Sequence, residues 1–345
     1  MIHGYEACKN EIEAAVLSKP SVYEPFTSYF DAEKMDGIKA KYGKDLFETC
    51  KADVESKIEK YNEYFAKKKE EYNEDVKYEL TSETKEVEGH ILHRIRSNRD
   101  FGKVSKGQLG GWIENENNLS QYGDSWVFDE AQVFGHAMVR DNAMVFDEAV
   151  VKDNAEVYNN ACICNRVRIS DNAIVRGNAF LYNRAQVKDK ANIYSNAKIG
   201  GNAIIYDSAI VCGDAVIDGN VCIFGHAFAF GTIRISDFVH IYGHAKVSAG
   251  RIMGNAEVFD YAEVIGNSQI MNDSKIFEKA IIDSACICGN SQVFGAAFIG
   301  KATVCGNSRI SGDVKINDPI VLDGEVITEY KKVVFDMQDK EEIEL

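Results

Sequence analysis

Apolar and polar positions along most of this chain follow a short, fixed period. In GHAMVRDNAMVFDEAVVKDNAEVYNNACICN, residues 135–165, a small residue, any residue and an aliphatic one return every six positions: Ala137 and Val139, Ala143 and Val145, Ala149 and Val151, Ala155 and Val157, Ala161 and Ile163. That period belongs neither to a helix nor to a plain strand. The unit runs from Ser125 and Val127 in six-residue steps to Ala245 and Val247. It then drops one residue three times, near 249–253, at 280–285 and at 297–302, and continues to Val314, Ile316 and Leu322. A short period held over such a length predicts a parallel β-helix. The middle of each unit is a short strand whose alternate residues face the same way, so Ala137 and Val139 point inward and Met138 outward. The pairs DN, GN, GH and DE between strands supply residues that tolerate the left-handed backbone of a sharp corner. Three strands and three corners close one coil of eighteen residues, three of the six-residue units. The expected fold is mainly β, a three-sided parallel β-helix solenoid over 113–325. Val139, Val157, Ile193, Val211 and Ile276 belong inside, and Gln132, Glu156 and Lys198 outside.

The period changes before residue 80. Over 44–79, Phe47, Cys50, Val54, Ile58, Tyr61, Phe65, Tyr72 and Val76 recur at steps of three and four among Lys and Glu, which predicts an amphipathic helix. A shorter pattern, Tyr5, Cys8, Ile12 and Val16, precedes Pro20 and Pro25, so a helical hairpin or small helical domain would bury the stripe. The steps fit 3.6 better than 3.5, against a coiled coil. A solenoid also needs covered ends. Four regions follow: a helical N-terminal region over 1–77, an N-terminal cap over 78–112, the repeat over 113–325, and a C-terminal cap with an acidic tail over 326–345.

The repeat resembles the hexapeptide-repeat, left-handed β-helix superfamily, and the expected handedness comes from that resemblance alone. Upstream, KYELTSETKEVEGHILHRIRSNRDFGKVSKGQLGGWIENENNLSQYGDSWVFDEA, residues 77–131, is similar to the lead-in segment of uncharacterised bacterial and phage hexapeptide-repeat proteins. In that group a GGWIE…NLS run precedes the first coil, and some members are called acyltransferase-like on fold alone. The resemblance spans roughly 77–325 and implies a fold, a bacterial or phage origin and, as one alternative, acyl transfer with a histidine base.

Charge and composition narrow the function further. The 345-residue chain carries a net charge of −15, divided nearly evenly between its N-terminal region, repeat and tail. This argues against a nucleic-acid backbone binder. No stretch reaches the ~18 uninterrupted apolar residues of a membrane span, and MIHGYEACKNEIE has no signal-peptide core, so a cytoplasmic protein is expected. Nine cysteines without a secreted spacing read as free thiols. The C-x-C pairs at 162–164 and 286–288 are weak metal signals, and neither metal nor cofactor is expected. His90, His93, Arg94, Arg96, Arg99, Lys103 and Lys106 form a local basic patch, read first as solvated cap residues and second as a contact for an acidic ligand or a nucleic acid.

Candidate chemistry rests on histidines. His136, His226 and His244 sit in GHA corners, His226 and His244 on neighbouring coils, and His240 faces outward on the strand before His244. His226, His240 and His244 could act as a base or ligate zinc, although their spacing is not that of the γ-class carbonic anhydrases. A polar turn explains the GH corners equally well. The residue after each inward aliphatic gives a second signal. One outward column contains Tyr206, Phe224, Tyr242, Phe259, Phe277 and Phe294 in succession, while the other two are mixed: Phe128, Phe146, Cys164, Tyr182, Gly200, Asp218 and Arg140, Tyr158, Arg176, Tyr194, Cys212, Phe230. Such a stripe can support the solenoid by stacking or receive a partner. If stacking alone were its purpose, rings on all three edges would be expected. The reading is a non-enzymatic rigid scaffold or binding module acting through the aromatic edge, on a protein partner or by self-association into an oligomer. The alternatives are the acyltransferase and an acidic decoy of a host nucleic-acid-handling protein.

Overall fold

The computed structural model describes residues 32–71 and 76–328. Tyr5, Cys8, Ile12, Val16, Tyr72 and the acidic tail lie outside the described residues, as do the side chains of Tyr61 and Phe65. The chain divides into two compact units, Met1–Ala161 and Cys162–Leu345.

The first unit contains helices α1, Ala32–Tyr42, and α2, Lys44–Glu71. They meet at Gly43, whose φ of 84° suits glycine at a helix end. The stripe predicted on α2 is real: Phe47, Cys50 and Val54 are buried and Ile58 packs against them. Its partner among the described residues is Met35 and Ile38 of α1. The helix is described as far as Glu71 and does not reach residue 79, since Tyr78 opens a strand; Val76 is exposed, so the last apolar position assigned to the stripe does not belong to it.

Strands β1, Tyr78–Val87, and β2, His90–Ser97, form an antiparallel hairpin around Glu88 and Gly89, both at positive φ. Strand β2 pairs antiparallel with β3, Leu109–Ile113, and β3 pairs in parallel with Gln132–Val133. The hairpin therefore occupies the edge that the first parallel strand would otherwise leave bare. The GGWIE…NLS run builds this junction. A Cβ on Gly110 would lie 2.6 Å from Ile95 Cγ1 and from the Val127 carbonyl oxygen, and one on Gly111 would lie 2.5 Å from the Ala131 carbonyl oxygen. Trp112 packs with Leu92, Phe134 and Val150, so Phe134 and Val150 are buried at outward positions because the hairpin covers them. Asn118 is fully buried. Its oxygen accepts from the Glu114 and Asn115 backbone N–H groups at 3.1 and 2.9 Å, and its amide donates to the Gly135 and Ala137 carbonyls at 3.0 and 2.8 Å. Tyr78 Oη donates to the Leu119 carbonyl at 2.6 Å, and the buried Lys77 ammonium to Ser125 O at 3.0 Å and Ser125 Oγ at 3.2 Å.

The second unit is a parallel β-solenoid with three sheets. Strands of two or three residues pair with the strand one coil on: Cys162 with Phe180, Arg168 with Gln186, Ile174 with Asn192. Their inward residues, including Ile193, Val211 and Ile276, are sealed from solvent, as are Val139 and Val157 in the first unit. Lys198 is exposed, and Gln132 and Glu156 are half-buried, as the alternation requires. The three dropped residues are present: Arg234 faces Arg251, Gln269 faces Cys286, and Cys286 faces Thr303, each seventeen positions on. A fourth drop follows Leu322. Arg309 faces Val326, again seventeen on, which carries the last strand to Ile327, beyond the expected limit of 325.

Corners follow the predicted chemistry, with Asp171, Asp189 and Asp207 at φ of 55–59°. Each also uses its side chain: the Asp171, Asp189 and Asp207 carboxylates accept the backbone N–H of Asp189, Asp207 and Gly225 at 3.2, 3.3 and 3.0 Å. Ser195, Glu278, Ser284 and Lys301 adopt the same conformation without being Gly, Asn or Asp. Buried Ser268, Ser274, Ser291 and Ser308 take the small-residue position, and each hydroxyl donates to the carbonyl three residues back at 2.6–2.8 Å. Among the described residues no helix is long and apolar enough to cross a membrane.

Candidate functional site

The repeat places the same five residues at one corner of successive coils: an inward aliphatic, an outward ring, a left-handed residue, a corner residue and an inward alanine. Ile223–Ala227, Ile241–Ala245 and Val258–Ala262 are three such steps. Parallel strands lie about 4.8 Å apart, so rings at the second position must meet. Tyr206, Phe224, Tyr242, Phe259, Phe277 and Phe294 form one continuous stack with centroids 4.8–4.9 Å apart and planes within 1–9° of parallel. The ends are closed by cations: Lys188 Nζ lies 5.1 Å from the Tyr206 centroid, and the Arg309 guanidinium 5.6 Å from that of Phe294. Every ring face is thus covered, and only ring edges reach solvent. All six rings are half-buried.

Tyr242 is held most firmly. Its hydroxyl donates to Glu257 Oε2 at 3.2 Å, and Glu257 Oε1 accepts from Lys275 Nζ at 2.7 Å. Burial, with the adjacent Glu257 charge, pushes its phenol pKa up to about 12.

A second file runs beside the first, at the corner position. His226 stacks on His244 at 5.0 Å, and His244 on Tyr261 at 4.8 Å, with planes within 10°. All three rings are exposed, and Tyr261 is 59% accessible. Their backbones are fixed, since His226 N donates to the Gly243 carbonyl at 2.7 Å and His244 N to that of Asp260. Of the three predicted histidines, then, His226 and His244 are brought face to face. His240 stands exposed on the neighbouring sheet, in register between Cys222 and Glu257. No group of three or more His, Cys, Asp or Glu side chains is arranged to hold a metal ion among the described residues.

Stacking is not confined to this corner, contrary to the two mixed columns' appearance in sequence. Phe128 stacks on Phe146 at 4.4 Å, Arg140 lies 3.9 Å from the Tyr158 centroid, and Arg176 lies 4.7 Å from that of Tyr194. Tyr182 reaches across two coils to Asp218, its hydroxyl 3.1 Å from Oδ2, because Gly200 leaves its ring room: a Cβ there would sit 2.1 Å from Tyr182 Cζ. Alternating Arg and Tyr, or a glycine under a tyrosine, do not read as a ladder until coils are superposed.

Three residues of the basic patch, His90, Arg94 and Arg96, have carboxylate partners, and Lys85 and Lys152 nearby are paired as well. Lys85 and Arg94 bind Glu130 at 3.3 and 2.9 Å and lie over the Trp112 ring, whose Nε1 donates to Glu130 at 2.9 Å. Desolvation acts against it, but these hydrogen bonds hold the Glu130 carboxyl below its usual range. His90 pairs with Glu114 at 2.9 Å, Arg96 with Glu79, and Lys152 with Glu88 at 2.7 Å.

A family model described as YdcK Beta solenoid repeat matches residues 197–213, about one coil of the second unit. No curated protein matches the chain.

Proposed function

We propose that the chain is a non-enzymatic β-solenoid scaffold that works through protein–protein contacts along the corner bearing the two ring files. One observation carries the reading: the exposed His226–His244–Tyr261 stack runs beside the half-buried ladder Tyr206, Phe224, Tyr242, Phe259, Phe277 and Phe294 on coils into which no loop is inserted. A straight, preorganised row of ring edges can be buried by a partner chain or a second copy with little loss of side-chain freedom. Assignment to the left-handed hexapeptide-repeat superfamily, with the division at 77/78 and 112/113, belongs to the same proposal. So do a bacterial or phage origin and a cytoplasmic location.

The test separates surface from support. Tyr261→Ser combined with His244→Ser removes exposed rings, so it should weaken self-association in sedimentation, or capture of a host protein, while the melting temperature stays within about 2 °C. Binding through apolar edges should also change little with salt. Association and capture unaffected by the double variant would overturn the reading. So would micromolar binding of acetyl-CoA lost on His244→Ala, which would promote the acyltransferase alternative with His226, His240 or His244 as base.

A further inference from the structure

We propose that Cys288 and Cys305 form a redox-closable pair, a disulfide site that staples two successive coils near the end of the second unit. Cys286–Ile287 pairs in parallel with Thr303–Cys305, Cys286 opposite Thr303 and Ile287 opposite Val304, and Cys288 N donates to the Val304 carbonyl at 2.8 Å. The next outward residues, Cys288 and Cys305, therefore lie one above the other. Parallel strands about 4.8 Å apart fall within the Cα separation of about 4.4–6.8 Å that a disulfide spans. The two side chains are near enough for each to perturb the other's titration, and both are free and partly accessible. Cys286 also perturbs Cys288. It lies two positions away on the same extended strand, however, where closing an S–S bond would bend the backbone that holds the coil.

Burial raises both thiols, and the Asp323 charge acts on each in the same sense. With hydrogen peroxide as oxidant, the thiolate of one cysteine attacks one peroxide oxygen and the O–O bond breaks. The leaving hydroxide takes the proton released by that thiol, giving a sulfenic acid and one water. The other cysteine's sulfur then attacks the sulfenic sulfur, the S–O bond breaks, and the departing hydroxide takes its proton as a second water. Two thiols and one peroxide become one disulfide and two waters.

The experiment uses the full-length chain treated with hydrogen peroxide, then alkylated and digested without reduction. The expected result is loss of two hydrogens, a cross-linked peptide joining Cys288 to Cys305, and a melting temperature raised by roughly 5 °C that returns on adding dithiothreitol. Cys286→Ser should keep the cross-link and both Cys288→Ser and Cys305→Ser should lose it, with all three variants retaining the reduced protein's melting temperature within about 2 °C. A Cys286–Cys288 bond, a cross-link between two chains, overoxidation of Cys288 without a bond, or no mass change would each overturn the proposal.

Discussion

Ile204 and Ile205 are adjacent and chemically identical, yet only Ile205 is sealed in the coil; Ile204 is half-exposed. Ile205→Asp places an unpaired carboxylate in a narrow apolar core, so we expect loss of about 4 kcal/mol or more, or no folding. Ile204→Asp should fold with little change, and circular-dichroism melting of the two variants checks the alternation directly. Tyr242 offers a second test at this scale. Its pKa of about 12 lies above that of an ordinary tyrosine, because burial and then Glu257 disfavour the phenolate. An acid raised in the folded state favours folding while protonated. Its contribution is therefore full below about pH 10 and is lost as pH climbs towards about 12. Wild type should lose more stability than Tyr242→Phe over that window, and equal losses would place the phenol elsewhere than the stack.

At the scale of elements, the ladder and its cationic ends form one unit spread over eight coils, six of rings and one at each end for the cation. Phe259 has a ring on each face, Tyr242 at 4.8 Å and Phe277 at 4.9 Å. Phe259→Leu keeps an apolar side chain but breaks two stacked pairs, each worth about 0.5–1.5 kcal/mol, so a loss of about 1–3 kcal/mol is expected. Arg309→Ala removes only the closing cation and should cost about 0.5–1 kcal/mol. Urea unfolding of both variants would measure the order, and a reversed order would mean that the ladder does not act as a stack. This changes what a ladder variant can report. Replacing Tyr242 and Phe259 together by Ser removes stacking as well as surface, so lost binding there would carry a fall in melting temperature. The exposed Tyr261 and His244 are the cleaner probes of contact.

At the scale of the whole molecule, β1 and β2 stand between a paired sheet and a bare edge on β3. Deleting 76–97 exposes the backbone of Leu109–Ile113, together with Trp112, Phe134 and Val150 from the cluster that Leu92 closes. We expect the truncated chain to aggregate at concentrations where the intact one scatters no light, whereas a clear solution would show the hairpin to be dispensable. The strands, their inward residues and the corners were legible in sequence because each depends only on the next few positions: a small residue and an aliphatic one set which side of the strand is apolar, and Gly, Asn or Asp permits the turn. Even three of the four dropped residues could be counted, since each shifts the register of all that follows; the fourth lies at the end, where almost nothing follows it. The six aromatics were visible as a column for the same reason. What the column does was not visible, because it depends on residues brought together a coil or more apart. The cations over Tyr206 and Phe294, the Arg–Tyr stacks on another edge, the hairpin that buries Phe134, and the carboxylates that pair with His90, Arg94 and Arg96 arise only when coils and hairpin are superposed. The partner of α2 escaped for a similar reason. Met35 and Ile38 of α1 are too few to show a period, and their burial comes from Phe47, Cys50 and Val54 across the Gly43 turn. Local periodicity determined the coil, because each step of the chain repeats the same choice of inside and outside; tertiary structure decided which outward groups are covered, paired or left open, because that depends on neighbours the chain supplies from elsewhere.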